Sequence, residues 1–157
     1  MKSCFLIGHR ETPATILPKL ETAVEQHIVQ HNVQIFYVGN YGAFDRLAAQ
    51  AVMTAKARHP DVALILLLPY HPEERPVVLP RGFDGTHYPE GMECVPRRAA
   101  IVRANRSMVE RVDYLIAYAW HPASNAKNLL EYAKIRAEKG LIGVTCLGAL
   151  SAELDSG

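Results

Sequence analysis

Two short stretches of this chain set glycine beside charged or polar side chains where an apolar run stops. Gly8-His9-Arg10 follows the run at residues 3–7, and Gly39-Asn40-Tyr41-Gly42-Ala43-Phe44-Asp45 follows the run at 33–38. Glycine lets the backbone bend sharply and be approached closely, and the N–H groups that open a following helix have no partner within it. Such a turn suits an anion, because a phosphate placed there gains both hydrogen bonds and the favourable end of the helix dipole. The same spacing also fits a plain tight turn between strand and helix. Arg10 carries a fork that matches phosphate oxygens, whereas His9 fits either a phosphate contact or a capping role. Asp45, in the first turn of the helix, either complements the dipole or accepts a hydrogen bond from a ribose hydroxyl.

Further along, Asn105 falls between Ile101 and Met108 at helical spacing, so its amide lies in an apolar stripe. An amide there costs free energy unless it finds partners: either neighbouring backbone satisfies it, or it reaches over the sheet end toward a ligand. Arg106 is its neighbour. Ser124 and Asn125 are each good helix N-caps after Trp120-His121-Pro122-Ala123. His71, His87, Cys94 and His121 have no spacing that supports a metal site, and none is expected.

The elements that must position these residues alternate. Apolar runs without period two at residues 3–7, 33–38, 62–68, 114–119 and 141–145 predict five buried parallel strands. Helical spacing links them: Leu17, Leu20, Val24 and Ile28; then Leu47, Ala48, Ala51, Val52 and Ala55; then residues 97–112; then Ala126, Leu129, Leu130, Ala133 and Ala137. Asn32 should stop the first helix and Gly140 the last. Residues 69–96 break the rhythm, with six of the ten prolines and three glycines. This excursion reads as a lid, a subunit contact or a mobile insertion, with room for a short edge strand near residues 86–88. The pattern predicts an α/β fold, a Rossmann-like three-layer sandwich whose doubly wound parallel sheet has about five strands. Its ligands bind at the carboxyl edge, where the loops at 8–10, 39–45 and 121–125 would meet.

The totals bound the function. A chain of 157 residues, 49% apolar and 21% charged, fits one domain, taken as residues 1–150 with a frayed polar tail at 151–157. Seventeen basic against sixteen acidic side chains leave a net charge of +1, which gives no strong nucleic-acid signal. Any anion site must be local. Three cysteines without C-x-x-C spacing fit a reducing compartment, and no apolar stretch approaches the roughly 20 residues that span a bilayer. The first apolar run ends too soon for a signal peptide, so a cytoplasmic protein with no membrane partner is expected.

A series of short motifs adds to this. Cys4 with Gly8-His9-Arg10, the turn from Gly39 to Asp45, Asn105-Arg106-Ser107-Met108, Asp113-Tyr114-Leu115-Ile116-Ala117, and Lys127-Asn128 with Tyr132-Ala133-Lys134 occur in order along the chain. The series resembles the SLOG superfamily of Rossmann-like nucleotide-binding proteins, and within it the YpsA-like family of uncharacterised bacterial proteins. The resemblance implies a small-molecule nucleotide ligand, no required cofactor and a homodimer. It departs in two places: Asn40 and Tyr41 are bulky for this turn, and the loop similar to the superfamily's glycine-rich phosphate loop, residues 123–128, contains no glycine.

More distantly, the chain resembles superfamily enzymes that cleave nucleoside monophosphates to base and ribose phosphate, which would put a catalytic carboxylate at Glu131 and an arginine at Arg106. Glu131 lies four residues after Lys127 and three before Lys134, a spacing that equally suits a solvated ion-pair cluster. The expected function is therefore binding of a nucleotide or nucleotide-like phosphate ligand as a sensor. The expected ligand contacts are Gly8, His9, Arg10, Gly39, Asn40, Tyr41, Gly42, Asp45, Asn105, Arg106, Ser124 and Asn125. The alternatives are hydrolysis of an N-glycosidic bond in the same cleft, and a partner-binding module that has lost the ligand.

Overall fold

The structure is a computed structural model that describes residues 1–147. Six parallel strands form one sheet: β1 (Lys2–Gly8), β2 (Val33–Val38), β3 (Ala63–Leu67), β4 (Gly85–His87), β5 (Tyr114–Tyr118) and β6 (Gly143–Cys146), in the order β4-β3-β2-β1-β5-β6. Helices α1 (Leu17–His31) and α2 (Ala43–Lys56) pack on one face, and α3 (Ala100–Arg111) and α4 (Asn125–Glu138) on the other. This is the Rossmann-like three-layer sandwich that the alternating pattern predicts. The expected tail at 151–157, with the end of the predicted domain at 150, lies outside the described residues.

The strand count of about five is corrected to six. Gly85–His87 pairs with Ile65–Leu67 at the sheet edge, inside the proline-rich excursion. Three residues flanked by Pro80 and Pro89 have no apolar run to announce them, and this strand is registered by side chains as much as by its own ladder. The Leu64 amide donates to Asp84 Oδ2 at 2.8 Å, and Lys56 pairs with the same carboxylate.

Local chemistry accounts for the helix ends. Asn32 closes α1 in the left-handed conformation at φ 58°, and Gly140, at φ 74°, follows α4. Pro18 stands in the first turn of α1, where its missing N–H costs nothing. Phe36, Phe44, Val52 and Leu64 fill one layer between sheet and helices, and Phe5, Met108, Leu115 and Leu130 the other. His27 is buried on α1, its Nδ1 2.7 Å from the Ala23 carbonyl, and burial holds its imidazole below the ordinary histidine range. Burial likewise pushes the Cys4 thiol far above its ordinary range, so it behaves as a small apolar group.

One contact in this packing leaves no slack. A Cβ added at Gly8 would stand 2.4 Å from the ring of Phe44, a side chain with no exposed surface. Gly8→Ala is therefore expected to destabilise the fold by about 1–3 kcal/mol, the cost of overpacking a filled core, read as a lower urea midpoint. An unchanged midpoint would mean that Phe44 yields freely and that the contact is soft.

Candidate functional site

From β1 the chain builds outward on one side through β2, β3 and β4, then returns to the other side of β1 as β5. The loops that leave β1 and β5 therefore diverge, and a crevice opens between them at the carboxyl edge. It is a cleft of about 300 Å³, lined by Gly8, His9, Arg10, Gly39, Tyr41, Gly42, Asp45, Asn105, Ser124 and Asn125, with Phe5, Leu6, Ile7, Phe44, Ile101 and Ala126 as its apolar part. Asn40 and Arg106, both expected at the ligand, lie outside this lining.

On the α2 side the two turns are interlocked. The Ala43 amide donates to the Arg10 carbonyl at 2.8 Å, and a Cβ on Gly42 would meet Arg10 Cα at 2.7 Å. Gly42, an extended residue and the N-cap of α2, thus clears space for the loop after β1, and it also lines the cleft. Asp45 turns back to accept the Tyr41 amide at 2.9 Å, with its Oδ2 placed where a Cβ on Gly39 would be 3.2 Å away. Burial raises the Asp45 carboxyl above its usual range, opposed by the Tyr41 hydrogen bond and by Arg46. The carboxylate lies at the helix N-terminus, as expected, and also forms part of the cleft wall. Arg10 is exposed and makes no ion pair among the described residues, so a cation with no committed partner stands at the mouth.

On the β5 side, His9 Nε2 accepts the amides of Trp120 at 3.0 Å and His121 at 3.2 Å. Its ring meets those of Tyr118 and Trp120 edge-on at 5.7 and 5.2 Å. The Thr12 hydroxyl donates to the His9 carbonyl at 2.6 Å, so a buried threonine fixes the loop from below. Ser124 is the N-cap of α4: its hydroxyl accepts the Lys127 amide and donates to the His121 carbonyl. Its side chain is therefore occupied. Asn125 and Ala126 line the cleft, and their amides, at the first two helical positions, have no acceptor within α4.

The α3 residues divide. Asn105 is half-buried, borders the cleft and makes no side-chain hydrogen bond among the described residues; Ala104 and Met108 occupy the buried stripe. Arg106 instead lies 4.2 Å over the Tyr132 ring and 4.0 Å from Glu110, beside a smaller cavity of about 120 Å³ between α3 and α4. Glu131 is exposed and paired with Lys127 at 3.1 Å and Lys134 at 3.7 Å, and the Lys127 hydrogen bond and Lys134 charge hold its carboxyl below the usual range. It does not border the cleft. Thr12 and the Trp120 and His121 amides were not legible as site groups, because their role depends on a partner about 110 residues away in sequence or on burial. Ile101, one turn before Asn105, carried the one local signal.

The sheet order and this crevice define a doubly wound, Rossmann-like α/β protein. No family model matches the chain, and no curated protein matches it. Among solved structures it is similar to the X-ray structure of DNA processing protein A (DprA) from Streptococcus pneumoniae, with a TM-score of 0.62 and 17% identity. The likeness covers 92% of this chain and 50% of that one, so the chain spans half the length of that neighbour. At this identity the shared property is the fold.

The Asp45 carboxyl gives a testable sign. Its folded pKa is raised, so the folded state holds the proton more tightly than the unfolded chain and loses that advantage as pH rises above the ordinary aspartate range. Asp45→Asn keeps an acceptor for Tyr41 and removes the charge. The variant is expected to gain stability over the wild type at pH 7, and the gain to shrink below pH 4. A denaturation series in which the variant is less stable at pH 7 would show that the charge is favourable where it lies.

Proposed function

We propose that the chain is a SLOG-type protein that binds a nucleotide or nucleotide-like phosphate ligand at the carboxyl edge of its sheet, as a sensor or ligand-binding protein. The observation that carries this reading is the make-up of the 300 Å³ cleft. It lies at the switch point, holds an arginine with no ion pair among the described residues, and is lined by Asn125 and Ala126, whose amides have no acceptor within α4. Arg10 and those amides suit a phosphate; Asp45 and Asn105 suit hydroxyl or amine groups. The volume is at the lower end of the usual range for small-ligand sites, about 300–1,000 Å³. The motif series from Cys4 to Lys134 supports the YpsA-like assignment, and a cytoplasmic homodimer belongs to the same reading. Glu131, tied to two lysines outside the cleft, gives the hydrolase alternative no support.

The test is a thermal-shift and calorimetry screen against nucleoside mono-, di- and triphosphates and ADP-ribose-type compounds. A ligand at 100 times its Kd should stabilise the fold by about 2.7 kcal/mol. Arg10→Ala is expected to weaken a phosphate-bearing ligand by about 1.5–3 kcal/mol, while Glu131→Gln leaves affinity unchanged. Undiminished binding in a folded Arg10→Ala protein would move the phosphate elsewhere. Release of free base that is abolished in Glu131→Gln would make the chain an enzyme.

A further inference from the structure

The loops that leave β1 and β5 start side by side, because Gly8 and Tyr118 are paired in the sheet. They then part to make the cleft, and His9 is the side chain that reaches from one to the other. Its Nε2 takes two backbone N–H groups, from Trp120 and His121. A ring nitrogen that accepts cannot carry a proton, so His9 is held neutral with its hydrogen on Nδ1. Adding the second proton would set an Nε2–H against two N–H donors, and neither hydrogen bond would survive.

We infer that His9 is a proton-operated latch, on whose Nε2 a proton displaces the Trp120 and His121 amides and frees the loop after β5 from the wall of the cleft. This rests on the reading of that cleft as the ligand site. The ring is also braced edge-on by Tyr118 and Trp120, so the neutral form has packing that a solvated imidazolium would forgo.

Among the described residues no carboxylate pairs with the imidazolium. His121, whose ring centroid is 6.3 Å away, is itself basic, and Arg10 follows on the same loop. The carboxylate on the cleft wall, Asp45, is hydrogen-bonded to Tyr41, and among the described residues His9 makes no ion pair. Burial and then His121 both lower its pKa below the ordinary histidine value of 6.5. The latch is therefore closed at neutral pH and opens on acidification.

Trp120 is the sole tryptophan of the chain and more than half exposed, so the loop carries its own reporter. The experiment takes the ligand-free protein from pH 7.5 down to the onset of acid unfolding, following Trp120 fluorescence, the backbone amide signals of Trp120 and His121, and the His9 ring proton signals, with far-UV circular dichroism to confirm folding. The expected result is one shared midpoint below 6.5 for all of these, lost in His9→Gln, whose amide oxygen accepts at every pH, and kept in His121→Asn. Trp120 and His121 amides that stay fixed while the His9 ring titrates in the folded protein would overturn the latch. A transition that survives His9→Gln but disappears in His121→Asn would assign it to His121 and overturn it equally. Should His9→Gln not fold, co-titration of the wild-type ring and amides decides. No ligand enters the measurement, so a failed nucleotide screen and a failed latch are separate results.

Discussion

The site depends on a near-collision. β1 ends where α2 begins, and the two can be this close only because neither has a Cβ at the crossing. Gly8 lies on the Phe44 ring and Gly42 on the Arg10 backbone, while the Ala43 amide is spent on the Arg10 carbonyl. The consequences run outward. Phe44 belongs to the buried layer beneath α1 and α2, so the position of the cleft wall is set by core packing rather than by a mobile turn. One helix N-terminal amide is used for that lock and is not free for a ligand. Arg10, held by its backbone, stands at the opening with no ion pair among the described residues.

The charge arrangement follows from the same lock. The α2 end of the cleft holds Asp45, a carboxylate that already occupies the favourable end of that helix dipole. A phosphate placed there would face it directly. The α4 end has no acid among the cleft residues, and its Asn125 and Ala126 amides have no acceptor in the helix. With a net charge of +1 over the whole chain, long-range attraction contributes little, and the local charge of the cleft rests on these few groups. Its polarity is therefore directional.

The fold was legible in the sequence wherever a run was long enough to be buried on both sides. Residues 33–38 and 114–119 were expected as strands and are β2 and β5, within one residue, because a two-sided apolar environment admits little else. β4, expected only as a short edge strand near residues 86–88, was less legible because its three residues carry no apolar periodicity and are held by Asp84 and Lys56 as well as by the ladder to β3. Of the site, the glycine turns could be found, since glycine at a strand end is a local signal. The approach of Arg10 to Gly42 could not: in a sequence a missing Cβ looks the same whether a ligand or another stretch of backbone comes close. His9 was visible as a polar residue at a strand end, but its partners are backbone groups on the loop after β5, and backbone groups leave no mark in a sequence.

The position of Glu131 shows which force fixes the α4 face. Lys127 and Lys134 flank it, and exposed pairs of that kind, screened by solvent, contribute little. Those lysines alone could not keep the carboxylate away from the cleft. On the other side of the helix, Ala126, Leu129, Leu130 and Ala133 are buried against the sheet. Turning α4 to bring Glu131 inward would carry Leu129 and Leu130 toward water, at about 1.5–3 kcal/mol for each leucine exposed. The apolar stripe thus outweighs the ion pairs and sets the rotation of α4. The same rotation presents Asn125 and Ala126 to the cleft, so the hydrophobic face that keeps a carboxylate out of the cleft also brings the first turn of the helix to it.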